Sequence, residues 1–472
     1  MTDKHTPTDA AEQLEKGKIL PLVFKLTVPA VIAQLITFVY NVVDRMFVAR
    51  IDGSGMDALA ALGIVLPVTL IIQAFANLIG LGGSPRASIK LGEDDKPEAD
   101  RIFNTSFVLL LAVGIVISIT TYFLSEQIVT AFGCPPSAVG LAASYLKIYA
   151  LGTVFVMLAQ GLNPFITAQG RSFIAMCSVS IGAVANIALD PIFIFTLDMG
   201  VEGASLATII SQALSCACIL AFFFSKRSLF RFRLKHAKPN GKRILSILSL
   251  GITPFVMTVT ECAIQIVFNI NLNASTGGNK DYTAALTVML SALQLISLPL
   301  NGLGYGMQPF VSYNYGKGNA ERLKKGVVYV TLIAFVFAAV IWSISLAVPQ
   351  AYAYIFSASP DVTSVVKAYA PLFLMGSIMF FVQMTLQNIN VALGQARSAL
   401  LLAVIRKVII LIPLCFVLTH FIGFKGVYMS EGIADFVAGA ITATTIFITF
   451  PRIFKNREKE VKSHAEQRPA DM

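Results

Sequence analysis

The chain has 472 residues, 56% of them hydrophobic and only 13% charged, with a mean hydropathy of +0.74. Apolar runs recur at lengths near the ~20 residues that cross a bilayer, which excludes a soluble globular class and makes this an all-α polytopic membrane protein. The net charge of +10 then belongs to membrane topology and contact with anionic lipid, and nucleic-acid binding is not expected.

Residues 1–20 are polar and mixed in charge, so no signal peptide is expected and the first apolar segment is a retained span. Twelve transmembrane helices follow, at about 24–49, 58–84, 104–125, 141–168, 175–196, 204–225, 245–273, 284–310, 326–347, 363–392, 401–421 and 427–449. An even number leaves both termini on one side. With the N terminus inside, the inner loops hold Arg86, Lys90, Lys96 and Arg101, then Arg171, then a cluster of Lys226, Arg227, Arg231, Arg233, Lys235, Lys238, Lys242 and Arg243. Lys317, Arg322, Lys324, Lys325 and Arg397 come next, and the tail adds Arg452, Lys455, Arg457, Lys459, Lys462 and Arg468. The outer loops hold little beyond Arg50, Lys280 and Lys425, so the positive-inside rule puts both termini in the cytoplasm.

The second half repeats the first. GLGGSPRASIKLG (80–92) resembles GYGMQPFVSYNYG (304–316), with Pro85, Ser88 and Gly92 matching Pro309, Ser312 and Gly316 at an offset of 224. The loops KPEADR (96–101) and KGNAER (317–322) correspond, Pro29 answers Pro254, and AQGRS (168–172) answers GQARS (394–398). The expected organisation is a tail (1–20), a first six-helix bundle (21–225), a basic linker (226–244), a second bundle (245–450) and a second tail (451–472). Six spans per half give both bundles the same orientation, related by an axis along the membrane normal. Two such bundles enclose a cavity that rocking exposes to alternate sides, which is a transporter's architecture.

Transport chemistry needs polar groups inside the spans. The apolar stretch IGAVANIALDPIFIF (181–195) carries Asn186 and Asp190 four residues apart, hence on one helical face. Pro191 has no N–H for the carbonyl of Ile187, so a freed backbone oxygen joins a carboxylate and an amide. A carboxylate in a span costs roughly 2.5 to 3.5 kcal/mol on insertion scales and usually marks an ion or substrate path. At 1.5 Å per residue, Asp190 sits roughly 20 Å and Asp44 about 30 Å from the inner ends of their spans, with Thr208 at comparable depth. Asp44, Asn186, Asp190 and Thr208 are therefore expected to converge in the first bundle, where two close carboxylates can share a proton or hold Na⁺ with the neighbouring oxygens.

The other charges in the spans are weaker signals. Glu261 lies midway along its span and either acts in transport or pairs with Arg406 or Lys407 as a structural bridge. Arg406 and Lys407, a turn or two from an inner end, are expected to snorkel to the headgroups. Glu431 and Asp435, near the outer end of the last span, read as a solvated face as readily as a site. The six cysteines show no metal-ligand or redox spacing and are expected to pack.

YNVVD (40–44), the AQGRS turn, NIALDP (186–191) and the repeated glycine, proline and serine pattern resemble the multidrug and toxic compound extrusion (MATE) family, over residues 20 to 450. Length and charge pattern are most similar to its bacterial branch of the MepA and DinF type. The resemblance implies a V-shaped pair of six-helix lobes in a bacterial inner or plasma membrane, exporting cationic, amphipathic drugs or dyes in exchange for H⁺ or Na⁺ with no cofactor, and nothing in the sequence requires more than a monomer. It also implies a cation site of Asp44, Asn163, Asn186, Asp190 and Thr208, with Tyr40 a turn from Asp44 and Pro29 as a bending point. Glu261 matches a second-lobe glutamate of the NorM-like branch. The span-ten aspartate of that branch has no counterpart in FVQMTLQNIN (381–390), so coupling is placed in the first lobe.

Two rival classes read less well. A flippase for lipid-linked precursors of the same superfamily needs several cavity arginines to grip pyrophosphate, and the spans are poor in arginine. A membrane enzyme needs a motif such as HExxH, a P-loop or GxSxG, and the sequence holds none.

Overall fold

The computed structural model describes residues 7–48, 50–51, 55–233, 240–355 and 359–466. Among these there is no strand, and twelve helices are long and apolar enough to cross a membrane. They are Ile19–Val48, Ala61–Gly92, Lys96–Phe123, Val139–Thr167, Ser172–Thr196, Gly200–Phe224, Gly241–Thr276, Lys280–Lys317, Ala320–Ala347, Pro360–Met379, Ala396–Ile422 and Phe424–Ser463, spans one to twelve below. Spans three, eight, nine and ten begin earlier than hydropathy predicts because a polar turn capped by Asp95, Asn279, Asn319 or Ser359 precedes the apolar run. Phe123, Phe224 and Phe421 stand exposed on span ends, as side chains do that are solvated by lipid rather than water.

The chain divides into two compact units, residues 1–17 with 32–258 and residues 18–31 with 259–472. Spans one and seven are thus each shared: the chain changes unit just after Pro29 and just after Pro254, both inside continuous helices. Glycine makes each exchange possible. In unit 1 a Cβ on Gly251 would overlap the carbonyl of Leu78, and one on Gly82 would lie 2.9 Å from the Gly251 nitrogen. In unit 2 a Cβ on Gly306 would sit 2.6 Å from Thr27 Cα, and one on Gly302 2.7 Å from Val31 Cα. Helix backbones in direct contact leave no room for a side chain.

The repeat is visible in hydrogen bonds. Asp95 caps span three by accepting from Glu98 N, and Asn319 caps span nine by accepting from Arg322 N, both after a residue of positive φ, Asp94 (60°) and Gly318 (71°). Ser88 Oγ donates to the Ala168 carbonyl and Ser312 Oγ to that of Ala392. Gly170 and Gly394 turn the chain between spans with the same φ of +74°. All these pairs keep the offset of 224. Two sequence pairings are therefore corrected: KPEADR against KGNAER, and AQGRS against GQARS, align identical letters two or three residues out of structural register.

The start of the linker is held against unit 1 through its backbone rather than its charges. Gln169 Oε1 accepts from Leu229 N (2.5 Å) and Ser228 Oγ (3.2 Å), Asp100 Oδ1 from Arg231 N, and Asn104 Oδ1 from Arg233 N. Phe230 stacks on Phe103 (5.4 Å) beneath these bonds. Lys235 and Lys238 of the expected basic cluster, and Arg468 of the tail, lie outside the described residues.

Candidate functional site

Span five brings Asn186 and Asp190 to one face, and both are buried, at 2% and 0% exposure. Pro191 ends the regular α-helix, and Ile192–Thr196 form a wider π turn in which Leu197 N bonds the Ile192 carbonyl. Gly203 lets span six approach that turn, where a Cβ would lie 2.7 Å from the Phe193 carbonyl carbon. That close approach sets Thr208 beside Asn186. Asn186 Nδ2 donates to Asp190 Oδ1 at 3.2 Å and lies 3.5 Å from Thr208 Oγ1, whose own proton goes to the Ala204 carbonyl.

Span one supplies Asp44, whose carboxyl group lies within hydrogen-bonding reach of that of Asp190. No donor reaches Asp44 Oδ1, Asp190 Oδ2 or Asn186 Oδ1, and neither acid forms a salt bridge among the described residues. The adjacent cation, Arg45, is exposed. The four residues expected to converge thus do so, as an oxygen-rich, uncompensated anionic cluster. A proton or a small hard cation is what such a donor set can hold.

Tyrosines wall this cluster. Tyr40, one turn before Asp44, interacts with it electrostatically and bonds Asn41. Tyr145 of span four faces Thr208 and lies in the field of both Asp44 and Asp190, stacked at 6.2 Å on Tyr149, which is next to Tyr40. Ser205 of span six donates to the Tyr145 carbonyl, fixing the two helices at that level. Tyr145 was missed in the sequence because one uncharged ring among 13 tyrosines carries no signal; its spacing of four from Tyr149 was the only hint.

Asn163 is placed elsewhere. Its Nδ2 donates to the Ala175 carbonyl and to Ser178 Oγ, both at 3.0 Å. Ser178 precedes Asp190 by twelve residues, about 18 Å along the helix. The equivalent Gln387 of unit 2 donates to the Ala399 carbonyl, again twelve residues on and at the same offset of 224. Asn163 and Gln387 are therefore matching ties between successive spans, and this contact is not part of the Asp44–Asp190 cluster.

Unit 2 holds a different group of charges. Lys407 pairs with Glu261, and Arg406 grips Asp435 Oδ1 through Nη2 (2.6 Å) and Nε (2.8 Å) while Glu431 lies 3.7 Å away. Arg406 also covers the ring of Phe380 at 5.3 Å, and Gln383 donates to the Asp435 carbonyl. Two expectations are corrected. Arg406 and Lys407 do not snorkel: span eleven begins at Ala396, so they sit about 15 Å inside it, 7% and 5% exposed, among three carboxylates. Glu431 and Asp435 are not a solvated face, being 4% and 0% exposed. Glu261 takes the bridging role that its position left open.

Residues 29–192 and 256–417 match the family model described as MatE. The chain belongs to the MatE family. This MatE chain is 30% identical over 437 residues to the multidrug export protein MepA of Staphylococcus haemolyticus, covering 92% of this chain and 94% of that one. It is 27% identical over 445 residues to MepA of Staphylococcus aureus, covering 93% and 96%. A solved multidrug resistance MATE family transporter of the MOP superfamily, in an outward-facing conformation, superposes with a TM-score of 0.88 at 24% identity, over 95% of this MatE chain and 99% of that one. The resemblance drawn from NIALDP and YNVVD is thus correct as to family and fold, and this MatE chain is a membrane transporter, not an enzyme.

Proposed function

We propose that this MatE chain is a secondary-active exporter of amphipathic, mostly cationic compounds, exchanging them for H⁺ or Na⁺ at Asp44 and Asp190. The observation that carries the proposal is the contact of two carboxylates inside the spans, with three buried oxygens of Asp44, Asp190 and Asn186 that no donor reaches and no salt-bridge partner among the described residues. Such a pair attracts one cation at a time. Open to the outside, it takes up the ion and loses its hold on a cationic drug; open to the cytoplasm, it releases the ion and binds drug again. Asn186 and Thr208 complete the oxygen set, Tyr40 and Tyr145 offer ring faces to a lipophilic cation, and Pro29 is the bending point of span one. The relatives named multidrug export proteins support drugs or dyes as substrates. The loop charges support a bacterial plasma membrane location with cytoplasmic termini, and nothing in the chain calls for more than a monomer. A flippase reading is disfavoured because Arg406 and Lys407, the cations buried in unit 2, are both engaged by carboxylates.

Competition is testable in proteoliposomes at fixed ethidium-type dye. Affinity should fall as pH drops or as Na⁺ rises, since either ion neutralises the dianion that holds the dye, and linkage makes the effect reciprocal. Asp44→Asn should flatten the dependence. Affinity indifferent to both ions in the wild type would remove the shared site.

A further inference from the structure

We infer that unit 2 contains its own proton-binding site, a single proton held by Glu431 and shared with the oxygens around Asp435, separate from the Asp44–Asp190 pair. It goes beyond the proposed function and does not need it to be correct. The argument is a charge count. Glu261, Glu431 and Asp435 are three carboxylates inside the spans of this unit, and Arg406 and Lys407 are the two cations facing them. Lys407 pairs with Glu261, whose side chain is 45% exposed, so the excess negative charge falls on Glu431 and Asp435, 4% and 0% exposed, around Arg406. The membrane interior and burial together make such an excess expensive, and a group in that position neutralises instead.

Geometry says which acid takes the proton. Lys407 contacts Glu261, and Arg406 makes two short contacts to one oxygen of Asp435, while Glu431 lies 3.7 Å from Arg406. Glu431 Oε2, Asp435 Oδ2 and Gln383 Oε1 are all buried and reached by no donor. A proton on Glu431 supplies a donor where these buried acceptors have none. A metal cation is the worse occupant, because the guanidinium already stands among the same carboxylates. The groups that face Glu431 are Asp435 on its own span, Arg406, Lys407 and Cys415 on span eleven, and Glu261 on span seven.

Infrared titration of the purified Asp44→Asn/Asp190→Asn protein tests this without drug or transport. The expected result is one protonated-carboxyl C=O band that shifts in heavy water, is insensitive to Na⁺ at constant pH, and is lost when Glu431→Gln is added. Absence of such a band at every pH, its survival in Glu431→Gln, or its bleaching by Na⁺ would overturn the site. In the otherwise wild-type chain, Glu431→Gln replaces a neutral acid by a neutral amide and should leave the melting temperature unchanged, whereas Glu261→Gln and Asp435→Asn remove a carboxylate in direct contact with a buried cation and should lower it. A Glu431→Gln protein that melts as low as Asp435→Asn, or fails to fold, would equally overturn it. Failed dye competition in proteoliposomes would remove the drug site and leave this band in place.

Discussion

Unit 1 carries two carboxylates without a countercharge, and unit 2 carries three with two cations among them, although both units are built from one repeated pattern. The repeat fixes where the clusters differ. At the offset of 224, Asp190 corresponds to Leu414 and Asn186 to Ile410, while Arg406 and Lys407 correspond to Gly182 and Ala183. On the fifth span of each half the polar group has moved by eight residues, about 12 Å along the helix. The shared features, such as the Asp95 and Asn319 caps, the Ser88 and Ser312 bonds and the Asn163 and Gln387 ties, hold helices together in both units. The charged residues are what the halves do not share, so the scaffold is symmetric and the electrostatics are not. One cluster is left hungry for a cation; the other supplies its own and falls one short.

The largest expected effect is on the self-compensated cluster. Asp435→Asn leaves Arg406 buried with only Glu431 beside it, and should destabilise unit 2 by about 3 to 5 kcal/mol, the range for breaking one side of a buried pair. Thermal melting in detergent or nanodiscs checks this, and an unchanged melting curve would mean Arg406 finds solvent after all. Asp190→Asn is expected to do the opposite. With no countercharge to strand, it should express, insert and melt as wild type while dye efflux falls on the order of 100-fold, within the usual span of coupling energies. A variant that exports at the wild-type rate would place the working site elsewhere, with Glu261 the next residue to examine. The smallest effect separates a tie from a ligand. Asn163→Ala and Gln387→Ala each remove matched side-chain bonds and should each cost about 1 kcal/mol, leaving the ion dependence of dye binding intact. If Asn163→Ala alone changes that dependence, Asn163 also serves the ion.

Much of this was legible one helix at a time. Hydropathy located all twelve spans, and depth counted at 1.5 Å per residue brought Asp44, Asp190 and Thr208 to the outer half before any packing was known. The same arithmetic failed for Arg406 and Lys407. Their distance from headgroups was counted from the apolar run at 401 rather than from the true start at Ala396, and a polar first turn has no hydropathy signal. Asn163 came from resemblance rather than from depth, and its amide nitrogen bonds Ala175 and Ser178.

What the amino-acid sequence determined by itself is therefore what is periodic or cumulative: membrane class, span number, the repeat, and the face and depth of each acid on its own helix. These depend on local geometry and on apolar length, which a linear string records. Tertiary structure alone decided which faces meet. It set Tyr145 against the acid pair, turned Glu261 to Lys407, buried Arg406 between two carboxylates, and made spans one and seven change unit just after Pro29 and Pro254. Whether a charge is compensated depends on a partner as many as 146 residues away, as for Glu261 and Lys407, and only the packed chain brings the two within reach.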